Sequence, residues 1–456
     1  MESNDNSKVE LPLGWSVLPL SQCTFDGNIS YGVVQPGTHA VDGIPILRVN
    51  NFRDGCFELQ DVLHIAPEIE QKYLRTRLSG GEVLLTLVGS TGQSLVVPSN
   101  LAGWNVARAI AVIKPQADIS ADWINLCLQT GAVQHFLDSR ANTTVQKTLN
   151  LKDVKEIPIV FPPEDQRRVI EQIATGLNSK IELNRQMNQT LEAMAQAIFQ
   201  SWFVDFETVK AKQKAKAAGK SAADIEMAAI VALSGKSEEA IGELSAEVRS
   251  GLAETAGLFG DELVESELGL IPDGLEVSTI KNYLELAYGK SLRKTERLPG
   301  PFPVYGSGGI TGFHQDSLID GPGIIVGRKG TIGSLYWEDQ PFFPIDTVFY
   351  VKPINDATLE LCFYLLQTLG LEDMNTDAAV PGLNRNNVYR LEVPKFPLDL
   401  INAFTKQVKP IRQLIDSTLA ESKTLAELRD SLLPKLLSGE LTLPAAQTQA
   451  TEALVP

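Results

Sequence analysis

"DQRRVIEQIATGLNSKIELNRQMNQTLEAMAQAIFQSWF", residues 165 to 203, holds no proline and one glycine, Gly176. Its apolar residues Val169, Ile170, Ile173, Leu177, Ile181, Leu191, Met194, Ile198 and Trp202 recur at spacings of three and four, with one longer gap across a polar stretch. That is the period of one narrow face of an α-helix. At a rise of about 1.5 Å per residue, such a helix extends about 58 Å. A second stretch, from Asp399 to Leu437, repeats the pattern with Ile401, Phe404, Val408, Ile411, Ile415, Leu425, Leu428, Leu432 and Leu436, and Pro410 predicts a kink in it. A seam this long outruns one small domain, so the two helices are expected to bury their seams against each other. The alternative is that each packs on its own globular part. Both seams are broken by polar residues at matching places, Asn184 and Asn188 against Thr418 and Ser422. Such residues help fix register.

The two helices belong to a larger duplication. "LPLGWSVLPL" at 11–20 resembles "IPDGLEVSTI" at 271–280, with Pro12, Gly14 and Val17 matching Pro272, Gly274 and Val277. "LVGSTG" (87–92) matches "IVGRKG" (325–330), and Leu128-Gln129-Thr130 matches Leu366-Gln367-Thr368. Leu149-Asn150 then matches Leu383-Asn384, and the correspondence runs on into the helices. The blocks keep their order, which marks two copies of one unit.

In the first part of each copy, short β-type runs such as "EVLLTLVG", "AIAVIKP", "GIIVG" and "TVFYVKP" alternate with Gly, Asn and Pro turns, and a short helical pattern follows. This predicts an α+β fold of mostly antiparallel sheet with short helices. The boundaries read as globular domains over 1–163 and 267–397, long helices over 164–206 and 398–441, and a disordered tail over 442–456. Residues 207–266, rich in Ala, Lys and Glu, form an acidic connector expected to carry short helices.

The bulk numbers exclude several classes. No apolar run approaches a membrane span, and residues 1–10 lack a signal core. The four cysteines are scattered without a CxxC pair, and the four histidines are isolated, so neither a metal site nor a disulfide framework is indicated and a cytoplasmic setting is expected. Net charge is −16. That balance argues against a nucleic-acid partner overall, but leaves a local basic face open.

Candidate catalytic motifs fail one by one. "GRKGTIG" (327–333) is not a G-x-x-x-x-G-K-[ST] phosphate loop, and "YGKS" and "SGKS" lack its upstream glycine. No G-x-S-x-G or H-E-x-x-H is present. A non-catalytic protein is expected. The residues exchanged between the copies are informative instead. In the alignment above, Ser90-Thr91 becomes Arg328-Lys329 and Arg108 becomes Asp346, while the glycines persist. Arg pairs with guanine, Asn and Gln with adenine, and Ser and Thr with either. A constant frame with exchanged hydrogen-bonding residues is what two readers of different short DNA sequences require.

"KIELNRQMNQTLEAMAQAIFQSWFVDF" (180–206), "FPPEDQRRVIEQI" (161–173), "SELGLIPDGLEV" (266–277) and "LRDSLLPKLLSGEL" (428–441) resemble the specificity subunits of type I restriction–modification enzymes. The resemblance covers nearly the whole chain. It implies two target-recognition domains joined by two long helices paired as an antiparallel coiled coil. Each domain would read one half of a bipartite, asymmetric site in double-stranded DNA. Two methyltransferase subunits would dock, bringing S-adenosylmethionine and adenine methylation, and motor–nuclease subunits could join. The competing reading is a duplicated coiled-coil scaffold without DNA.

The residues expected at DNA in the first domain are Arg48, Asn50, Asn51, Arg53, Ser90, Thr91, Gln93, Arg108, Thr143, Gln146 and Lys147. In the second they are Arg293, Lys294, Tyr305, Ser307, Arg328, Lys329, Thr331, Arg385, Asn386 and Asn387. The apolar clusters Trp202, Phe203 and Phe206, and Leu432, Leu433, Leu436 and Leu437, are the expected docking points for partner subunits, with an inter-helix core as the alternative.

Overall fold

The computed structural model describes residues 12–53, 55–141, 147–375 and 381–454. In chain order its main elements begin with β1 (Thr24–Tyr31), β2 (Ile44–Leu47), β3 (Val83–Thr86), β4 (Ser94–Val96) and β5 (Ile110–Pro115). Then come α1 (Ala121–Gln129) and the long α2 (Glu164–Phe199). The second copy carries β6 (Leu284–Tyr288), β7 (Phe302–Gly306), β8 (Gly323–Gly327), β9 (Leu335–Glu338), β10 (Val348–Pro353) and α3 (Leu359–Gln367). The long α4 (Leu398–Leu437) and α5 (Leu443–Leu454) close the chain. Residues 1–184 and 420–456 form one compact unit, and residues 185–419 form another.

In the first unit an antiparallel sheet has the order β1-β5-β3-β4. Its two middle strands are apolar on both faces, as a sheet covered on both sides must be. Val83, Leu85, Ala111 and Ile113 face a core shared with Trp123 of α1 and Ile170, Ile173 and Leu177 of α2. Leu84, Ile110 and Val112 face a smaller core with Leu47 and Phe52. In the second unit the sheet β6-β10-β8-β9 repeats this arrangement. There Ile324, Val326, Phe349 and Val351 face the helix side, and Ile325 and Val348 the other.

The long helices pair antiparallel within each unit. In the first, Asn178 accepts from Arg429 at 2.9 Å, and Asn184 donates to Glu421 at 2.6 Å and to Ser422 at 3.3 Å. In the second, Thr418 donates to Asn188, and Arg412 pairs with Glu192 at 2.9 Å. The Asn184–Ser422 and Asn188–Thr418 contacts are images of one another under the repeat. The polar breaks in the seams therefore satisfy each other, and apolar seam residues flank them in both units. The seams also reach the globular cores, so both expectations for their burial hold in part.

α4 runs on as helix through Pro410. Two expectations are corrected. α2 ends at Phe199 and passes into one π turn, Gln200–Val204, whose wider winding turns Trp202 and Phe203 together into the core. The tail is not disordered over its length. Residues 443–454 form α5, because Ala446 and Ala450 fit against the first unit's core and Leu443 and Leu454 extend that contact.

The connector folds as short helices, Glu207–Ala217, Ala222–Ser234, Glu238–Gly242 and Ala246–Gly257. Ser221, Ser237 and Ser245 accept backbone N–H groups at the starts of the last three. Ala229, Ile230, Ile241 and Ala256 make a small core of their own.

The first domain contains a buried ionic group. Glu70 is buried, ion-paired with Arg77, and accepts from Asn105 at 3.1 Å. The Arg77 hydrogen bond, chiefly, lowers its pKa below the ordinary 4.5. A carboxylate of lowered pKa stabilises the fold above its unfolded value, and that contribution is lost as pH falls through the folded value. Below about pH 4.5 the wild-type chain should therefore lose urea resistance more steeply than Glu70→Gln. Equal slopes in urea titrations across that range would refute the assignment.

Candidate nucleic-acid interface

Strand pairing fixes which residues of the two copies correspond. β3 pairs with β4 as Val83↔Val96, and β8 with β9 as Ile324↔Trp337, with the same turn between them. Thr86 N donates to Gln93 O at 2.9 Å, and Gly327 N to Ser334 O at 2.8 Å. The left-handed residues are Gly89 and Gly92 in one turn and Gly330 and Gly333 in the other. The turn matching Gly89-Ser90-Thr91-Gly92 is thus Gly330-Thr331-Ile332-Gly333. The expected exchange of Ser90-Thr91 for Arg328-Lys329 is a misregister by three residues. Glycines at 327, 330 and 333 make the sequence match degenerate, and only the left-handed backbone at 330 and 333, where a side chain is strained, separates the choices. Arg328 and Lys329 correspond to Leu87 and Val88.

The backbone then brings distant segments together. Leu383 N donates to Arg328 O at 2.8 Å, and Gly330 N to Pro381 O at 3.0 Å. The matching bonds in the first domain run from Leu149 N to Leu87 O at 2.8 Å and from Gly89 N to Lys147 O at 3.0 Å. In the second domain this seats Arg328, Lys329, Arg385 and Asn386 around a cleft of about 340 Å³ whose wall includes Tyr288. The Arg385 guanidinium lies 4.6 Å from the Tyr288 ring centre, and that of Arg328 5.3 Å. Arg328 donates from Nε and Nη2 to the Asp346 carbonyl at 3.1 and 2.5 Å. Arg385 donates from Nη1 to Leu286 O at a long 3.4 Å. Asn384 accepts from Asn386 N at 2.9 Å, leaving the Asn386 side chain exposed. Among the described residues none of Arg328, Lys329 and Arg385 has a carboxylate within ion-pair distance. Three cations without an ion-pair partner among the described residues, beside an exposed aromatic ring, make a locally positive face in a chain of net charge −16.

The first domain is arranged differently. Arg48 pairs with Asp61 at 2.9 Å, Arg53 with Glu58 at 3.3 Å, and Lys147 with Asp138. Asn50, Ser90, Gln93 and Arg108 are exposed and Thr91 is half-buried. Thr143 and Gln146 lie outside the described residues. In the second domain Thr331, Arg293 and Lys294 are exposed, the last two on a separate loop outside the cleft, and Ser307 and Asn387 are half-buried.

Two of these residues are structural. Asn51 is 2 % exposed, accepts from Arg48 N at 2.8 Å and donates to Glu58 O and Asp61 O, so it staples its own loop. Tyr305 is 6 % exposed in the small core, its hydroxyl donating to Glu338 at 2.7 Å. The docking points are corrected likewise. Trp202, Phe203 and Phe206 sit in the second unit's core and Leu432, Leu433, Leu436 and Leu437 in the first unit's, each at most 7 % exposed. Their surfaces are already covered by this chain.

Sequence reading missed Tyr31 and Tyr288. β1 pairs with β5 as Tyr31↔Ala111 and β6 with β10 as Tyr288↔Phe349, so the two tyrosines occupy one position of the repeat. Both are exposed, at 37 % and 51 %. The available signal was the Tyr-Gly pair at 31–32 and 288–289.

Residues 272–428 match the family described as the type I restriction modification DNA specificity domain. The HindI specificity subunit of Haemophilus influenzae is 29 % identical over 399 residues, covering 79 % of this chain and 86 % of that one. The EcoBI specificity subunit of Escherichia coli is 30 % identical over 190 residues, covering 41 % and 40 %. These matches are to the specificity subunits of type I restriction–modification systems, the subunits concerned with DNA sequence recognition, and the chain is similar to them over most of its length. A solved S subunit from M. genitalium aligns over 97 % of this chain and 99 % of its own, with a TM-score of 0.49 and 16 % identity. Among the described residues no helix is long and apolar enough to cross a membrane.

Proposed function

We propose that each globular domain reads one half of a bipartite, asymmetric site in double-stranded DNA, the long helices setting the spacing between halves. Two methyltransferase subunits dock on the chain in the cytoplasm and bring S-adenosylmethionine and adenine methylation. Motor–nuclease subunits join the same complex, and this chain is non-catalytic. One observation carries the reading. The two domains share one backbone frame and keep its exposed tyrosine, Tyr31 or Tyr288, but where the first has buried Leu87 and half-buried Val88 the second has half-buried Arg328 and exposed Lys329. The acidic balance fits a complex whose partners supply much of the basic surface around the duplex.

Exchanging residues 12–163 for the first domain of another specificity subunit should change one half of the methylated sequence and leave the other half intact. Methylome sequencing of cells carrying the exchanged chain with its methyltransferase reads this directly. An unchanged methylated sequence would favour the scaffold reading without DNA. Tight sequence-specific binding by the purified chain alone would count against the shared surface.

A further inference from the structure

The second domain holds one guanidinium set apart from its neighbours. Arg328 has committed Nε and Nη2, one edge of its fork, to the Asp346 carbonyl. Lys329 is exposed, and its side chain has no partner among the described residues. The Arg385 guanidinium sits over the Tyr288 ring, 4.6 Å from its centre, and its one hydrogen bond, to Leu286 O, is long. Its fork is thus held against the ring and little spent on the protein. A contact of this kind orders a flexible side chain before a ligand arrives, which lowers the entropy cost of binding. A planar fork with free donors matches two acceptors side by side, and in duplex DNA that pair is O6 and N7 of guanine.

The repeat supplies an internal comparison. α-Helical residues Arg385–Tyr389 correspond to Leu151–Lys155, each following an asparagine. The first domain therefore has Leu151 where the second has Arg385, and Leu87 where it has Arg328, while the tyrosine is kept.

We propose that Arg385, presented on Tyr288, determines a guanine in the half-site read by the second domain. The first domain, with Leu151 and Leu87 at those places, has no counterpart of that contact. Lys329 meets a phosphate and adds affinity without preference. This deepens the reading given above and rests on it.

The test uses the complete complex of this chain with its methyltransferase subunits, acting on a random-sequence DNA pool whose methylated members are sequenced. Arg385→Leu should relax the guanine preference at one position of one half-site about 5- to 150-fold and leave the other half-site unchanged. Arg385→Lys keeps the charge without the planar fork, and should show the same relaxation with methylation retained. Lys329→Ala should lower methylation uniformly over all sequences and reduce the salt dependence by about one phosphate contact. The assignment is overturned if Arg385→Leu lowers methylation equally for every sequence, which is the mark of a phosphate contact. It is also overturned if the relaxed base is not guanine, or if Arg385→Lys keeps full guanine preference where Arg385→Leu abolishes all methylation. Failure of the broader reading would look different, because the wild-type complex would then methylate the pool without a bipartite preference.

Discussion

Phe404→Ala is expected to destabilise the second unit by about 3–5 kcal/mol, the range for removing a fully buried phenylalanine. The ring is 0 % exposed and packs among four others. Its centre lies 5.6 Å from Phe199, 6.1 Å from Trp202, 5.1 Å from Phe203 and 6.1 Å from Tyr364. Those partners belong to α2, to the π turn after it and to α3, so one side chain of α4 joins both long helices to the sheet's covering helix. Alanine removes the transfer energy of the ring and leaves a cavity that two rigid helices cannot close. Phe404→Leu keeps most of the volume and should recover more than half of the loss. Urea unfolding followed through Trp202 and Trp337 fluorescence measures both. A shift below about 1 kcal/mol for Phe404→Ala would mean the cluster is loosely packed.

Trp123→Ala is expected to cost the first unit a similar 3–5 kcal/mol. Trp123 is 0 % exposed on α1, and its indole Nε1–H donates to Val160 O at 2.9 Å. It thereby ties the helix to the strand Pro158–Phe161, the last element before α2. Trp123→Phe separates the two contributions. It keeps most of the packing but leaves the Val160 carbonyl without its indole donor, a loss of about 1 kcal/mol. If phenylalanine costs as much as alanine, the hydrogen bond rather than the packing carries the effect. The repeat equivalent of Trp123 is Leu361, also 0 % exposed, so the shared frame holds different volumes at this position in its two copies.

Much of this architecture was legible in the sequence. A helical period sustained over tens of residues has few competing readings, and the polar breaks at Asn184, Asn188, Thr418 and Ser422 pair as their matched spacing suggested. The duplication was legible too, because ordered blocks leave little room for chance. The reading stopped where the physics is not periodic. Glycines three residues apart let the β8–β9 turn slide by one step, and with it the identity of the residues at its tip. Tyr31 and Tyr288 are single exposed residues at strand ends, marked only by the Tyr-Gly pair that the two copies share. An apolar cluster at a helix end, such as Leu432, Leu433, Leu436 and Leu437, looks the same in sequence whether its own chain or another covers it. Only burial distinguishes the two.

The division of the chain into units has a consequence for the order in which it matures. The second unit is one uninterrupted run, residues 185–419. The first is not, because its core joins Ile170, Ile173 and Leu177 to Leu425, Leu432, Leu436 and α5. A ribosome makes those latter residues only after the whole of the second unit. The domain that is synthesised first must therefore wait with its helix seam uncovered, while the domain synthesised second has every residue it needs once Leu419 is made.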